Sequence, residues 1–133
     1  MMVAVDTSEA ATETCTFQRD PRGFMRAVMR TGCEMGLEDA QKNLAAIFEL
    51  GGRQRGLVLV DMRGVRSQSR EARQYFATSD EALQATLAVA LLIGSPVSRV
   101  LANFFLRLNP QRIPTALFTA EEAAITWLME HRP

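Results

Sequence analysis

Two stretches, "LVLV" at 57–60 and "LAVALLI" at 87–93, are apolar at every position. A strand with one wet face alternates polar and apolar residues, so an unbroken apolar run of this length wants cover on both faces. Doubly covered strands belong to parallel sheets, and a parallel pair needs a crossover of a dozen or more residues. "REARQYFATSDEALQAT" at 70–86 supplies that crossover, with Ala72, Tyr75, Phe76, Ser79 and Leu83 at helical spacing. These three segments already specify an α/β chain.

The flanking sequence extends the pattern. In "TCTFQRDPRGFMRAVMRTG", two strand-like runs flank "RDPRG", whose Asp-Pro and Gly punctuate a turn. Phe24, Arg26, Val28 and Arg30 alternate with Met25, Ala27 and Met29, predicting a hairpin with one buried and one mixed face. "GLEDAQKNLAAIFELGG" reads as a helix, with Glu38 and Asp39 in its first turn and Gly51-Gly52 as its stop. "SPVSRVLANFFLRLN" reads as another, with Ser95 as cap, Pro96 first, and Val97, Leu101, Phe104, Phe105 and Leu108 inward. "IPTALF" is the last strand, and "TAEEAAITWLMEH" opens on a capping box of Thr119 and Glu122.

The predicted order is β-β-α-β-α-β-α-β-α: one α/β domain over 14–133, with a mainly parallel sheet of about five strands. Residues 1–13 read as a flexible N-terminal segment.

Fifteen basic and fifteen acidic residues cancel, which removes the positive field of a dedicated nucleic-acid binder. Lys42 is the only lysine, so nearly every cation is a planar, bidentate donor. Cys15 and Cys33 are the only cysteines, without a CxxC or a metal cluster, and two buried thiols are expected over a disulfide. "MMVAVDTSEAATE" lacks the charged and apolar regions of a signal peptide, and no apolar run approaches a membrane span. The expectation is a cytoplasmic protein with no cofactor, nucleic acid or membrane as partner.

Several phrases carry a family likeness: "LEDA" at 37–40, "LVDMRGV" at 59–65, "SREARQYFA" at 69–77, "AVALLIGSPVSRVLANFFLRLN" at 88–109 and "LFTAEEAAITWL" at 117–128. With the element order, they resemble the SpoIIAA-like (STAS) proteins, and most closely the small stand-alone bacterial members of unknown function. The resemblance implies a STAS-type sheet with helices stacked mostly on one side. It also implies a regulatory or protein-interaction role without catalysis. Anti-sigma-factor antagonists carry a phosphorylated D-S-[ST]-G motif after this strand. Laid on this chain from Asp61 through Val65, the motif's Asp falls on Ser69, its phospho-acceptor on Arg70 and its Gly on Ala72. The acceptor is absent, and a cation stands where the switch would add a dianion.

Ser69 is then expected to cap the following helix, with Glu71 complementing the dipole. The alternative is a small-anion or phosphorylated-ligand site. Two strand ends feed helices that open with "SQSREAR" and "SPVSR", and such ends attract anions in parallel sheets. Its candidate residues are Ser67, Ser69, Arg70, Arg73, Ser95, Ser98 and Arg99, set against the plainer reading of a solvated rim with capping serines. Six arginines between Arg53 and Arg73 face only Asp61 and Glu71, a local segregation of charge.

No catalytic constellation emerges. Either serine would need a base, and the single His131 lies near the terminus without a matched acid. Asp61 reads as a strand-end carboxylate paired with nearby N–H groups or an arginine. Tyr75, Phe76, Phe104, Phe105, Phe118 and Trp127 fall at core spacing. One-sided helix stacking would leave an apolar sheet face uncovered, which predicts a homodimer through that face or the hairpin edge.

Overall fold

The computed structural model describes residues 8–95 and 111–133. Its hairpin forms as the alternation requires. β2 (Cys15–Arg19) and β3 (Phe24–Met29) pair antiparallel, with Phe17 opposite Ala27 and Cys15 opposite Met29. The turn closes through the amide of Gly23, which donates to the Asp20 carbonyl at 3.0 Å. At φ 103° Gly23 holds a conformation that any L side chain would strain. β1 (Glu9–Ala11) adds an edge strand against β2, so the sheet begins inside the segment read as flexible.

Parallel strands follow in chain order. β5 (Gly56–Asp61) lies beside β3, β7 (Thr86–Leu92) beside β5, and β8 (Thr115–Phe118) beside β7. The result is a six-stranded, mostly parallel sheet rather than the five strands expected, ordered β1-β2-β3-β5-β7-β8. A two-residue ladder, β4 (Glu34–Met35) with β6 (Ser67–Gln68), ties the exit of β3 to the exit of β5.

α1 (Leu37–Leu50) buries Ala40, Asn43, Leu44, Ile47 and Leu50 against the face carrying Cys15, Phe17, Ala27, Met29 and Val58. Its first turn is fastened by the Asp39 carboxylate, which accepts the Gly36 amide at 3.0 Å. The buried Asn43 amide donates to the Thr14 hydroxyl at 2.9 Å, and the Thr12 hydroxyl donates back to Asn43. That network satisfies polar groups which would be costly to bury alone, and it fixes the β1–β2 turn to α1.

The single helix expected over 70–86 is two: α2 (Arg70–Thr78) and α3 (Asp80–Ala85). Ser79 sits between them in an extended conformation, and its Oγ accepts the Ala82 amide at 3.1 Å. A serine followed by Asp80 and Glu81 is a helix start, and here it wins over continuous apolar spacing.

α4 (Glu121–Met129) also departs from expectation. Ala120 is its N-cap without a side-chain bond, so the Thr119–Glu122 capping box does not form. The helix begins with Glu121 and Glu122 in its first turn, one position later than that box requires. α4 packs on the opposite face of the sheet, where Ala124, Ile125 and Leu128 meet Phe24, Leu57, Leu59, Ala88, Ala90 and Leu92.

Three described helices stack on one face, as expected, and α4 covers the other, which was expected to lie open. Leu57, Val58 and Leu59 are buried with neighbours above and below, and the uncovered apolar face that argued for a homodimer is occupied by α4. Phe24, read as part of a mixed surface, is core and is flanked by the guanidinium groups of Arg22 and Arg26 at 5.2 and 5.6 Å from its ring centre. Val28 alone on that strand face remains an exposed large apolar side chain. The reading of a helix over 95–109, including Pro96, Phe104 and Phe105, lies outside the described residues.

Candidate functional site

The carboxyl ends of β5 and β7 gather the polar residues singled out from sequence. Asp61 closes β5 and is clasped by Arg63, two residues on. The Arg63 amide and Nε donate to Oδ1 at 3.1 and 3.0 Å, and Nη2 donates to Oδ2 at 2.8 Å. Those bonds hold the Asp61 carboxyl below the usual range, against the opposing effect of its partial burial. This is the strand-end pairing expected, and it keeps Asp61 ionised.

The chain then crosses to the exit of β3. Gly64 presents its carbonyl to the Gly32 amide at 2.7 Å, and the Cys33 carbonyl accepts the amides of Arg66 and Ser67 at 2.9 and 3.3 Å. Ser67 is exposed within β6. Ser69 is the N-cap of α2: its Oγ accepts the Ala72 amide at 3.1 Å. Arg70 is exposed at the first helical position. Arg73, one turn on, is half-buried and donates from Nη1 to the Gln68 carbonyl at 2.6 Å.

Ser67, Ser69, Arg70 and Arg73 therefore cluster at one helix opening, while Ser95 follows β7, the strand beside β5. Ser98 and Arg99 lie outside the described residues.

The segregated arginines are dispersed by the fold. Arg53 pairs with Glu49 at 3.7 Å, and Arg55 donates to the Thr86 carbonyl at 3.2 Å at the opposite end of the sheet. Arg63 is bound to Asp61, and Arg66 faces Glu34 at 3.8 Å. Chain proximity is not field strength when each cation meets its own acceptor.

Both cysteines are free thiols. Burial, with a smaller contribution from nearby Cys33, pushes the Cys15 thiol up to about 12, and burial also raises Cys33. Neither is a poised nucleophile. The described residues hold no group of three or more His, Cys, Asp or Glu side chains placed for a metal.

Sequence reasoning missed a cavity. A volume of about 640 Å³ lies on the α1–α3 side of the sheet, within the size range of small-molecule sites. Its floor is Val58, Val60, Val89, Leu91 and Leu117; Leu44, Ile47, Phe76 and Ala82 face them from the helices. Among the described residues, its polar lining is Asn43, Gln68, Gln111, Arg63, Arg73, Thr86 and Thr115. No sequence signal marks a cavity of this kind, because it depends on what packing leaves over.

The family model described as "Domain of unknown function (DUF7793)" matches residues 18–132. The chain belongs to this family. Among solved structures, the DUF7793 chain is similar to an uncharacterised protein of the DUF3478 family from Shewanella loihica PV-4, which has a SpoIIAA-like fold. The two share 14% identity over 90% of this chain and 98% of that one, with a TM-score of 0.56. At that identity the likeness shows the fold, and it agrees with the SpoIIAA-like resemblance read from the sequence. A protein of unknown function from Arthrobacter sp. FB24 is 37% identical over 91% of this chain and 97% of that one, with a TM-score of 0.35. No curated protein matches the DUF7793 chain. Among its described residues, no helix is long and apolar enough to cross a membrane.

Proposed function

We propose that this chain is a non-catalytic binding module of the SpoIIAA-like class, acting in regulation or interaction rather than in turnover. One observation carries the reading: the strand-end carboxylate Asp61 and the helix-opening hydroxyl of Ser69 are both committed to structural bonds. Asp61 is locked as a carboxylate by three donors from Arg63, which removes it as a general acid or base near neutral pH. The Ser69 oxygen caps α2, and the sequence resemblance implies that Arg70 falls where the antagonists of this class carry a phospho-acceptor.

The test is a turnover screen of the purified chain against p-nitrophenyl esters and phosphates, alongside Asp61→Asn and Ser69→Ala. The expected rate equals that of both variants and of buffer. Turnover by the parent chain that is lost in either variant overturns the reading.

A further inference from the structure

We draw no further inference here: the strongest candidate, the cavity on the α1–α3 side of the sheet, runs to Gly94 and Gln111 at the edges of the undescribed residues 96–110, and nothing in the structure shows what closes or occupies it.

Discussion

Gly64→Ala isolates one contact on which the rim of the sheet depends. A Cβ at Gly64 would stand 2.9 Å from Thr31 Cα, 3.1 Å from its Oγ1 and 3.4 Å from its nitrogen. The nearest of these atoms is backbone and cannot rotate away, so the two loops must separate by about half an ångström or more to reach ordinary contact. Overpacking of this kind costs about 1–3 kcal/mol. The same displacement stretches the 2.7 Å bond from the Gly32 amide to the Gly64 carbonyl, one of the links holding the β3 and β5 exits together. Gly56→Ala is the matched control: nothing lies within 4 Å of its new methyl, and its φ is not in the left-handed region. That variant should be neutral, or stabilised by about 0.4–1 kcal/mol through the unfolded chain. Guanidinium unfolding of the three proteins reads the difference directly. For a domain of this size the Gly64 variant should also lose roughly 4–12 °C in Tm. Equal stability of the two alanine variants would refute the close approach of the loops, and with it the geometry assigned to the strand-end rim.

Three further outcomes are expected. Ser69→Ala should cost about 0.5–2 kcal/mol by removing the cap on α2, Ser69→Asp should be close to neutral, and both read out in the same unfolding assay. Acid should destabilise the fold as the Asp20 and Asp61 carboxyls protonate. Arg22 holds Asp20 at about 2 and Arg63 lowers Asp61, so their contribution is present above the unfolded value near 3.8 and is lost as pH falls toward 2. Asp20→Asn with Asp61→Asn should flatten the stability profile between those limits; an unchanged slope would count against both pairings. At pH 8 a thiol reagent should leave the buried Cys15 unmodified until denaturant is added, with only slow reaction at the half-buried Cys33. Rapid labelling of two thiols in the native state would contradict the packing of β2.

Much of the architecture was legible because the hydrophobic pattern changes period at each element. The alternation from Phe24 to Met29 gave the hairpin face, and the unbroken run at 57–60 announced a strand covered on both sides. What stayed hidden was arrangement in space. Ser79 fits the inward face of a long helix as well as it fits a cap, and only the extended backbone there decides between them. Two-residue strands such as Ser67–Gln68 carry no periodicity to detect. A C-terminal helix does not say in sequence which face of the sheet it will choose, so the cover that α4 gives the second face was not foreseen.

The site was less readable still. Ser69 and Asp61 have the local partners that their neighbours in sequence implied. The crowd of arginines, by contrast, lost its meaning once Glu49, Glu34 and the Thr86 carbonyl arrived from elsewhere in the chain.

The strand order has a bearing on how the molecule is made. Because β1, β2, β3, β5, β7 and β8 lie side by side in the order they are synthesised, no strand has to be inserted between two already paired. A nascent chain leaving the ribosome can close the hairpin first, since its contacts are the most local, and then add one strand per crossover. Beyond the short outer edge at β1, only the growing edge changes at each stage, which limits the time that any apolar strand waits for a neighbour. Moving the "LAVALLI" strand ahead of "LVLV" would keep the composition and remove that sequential assembly, and slower, aggregation-prone refolding is the behaviour such a rearranged chain should show.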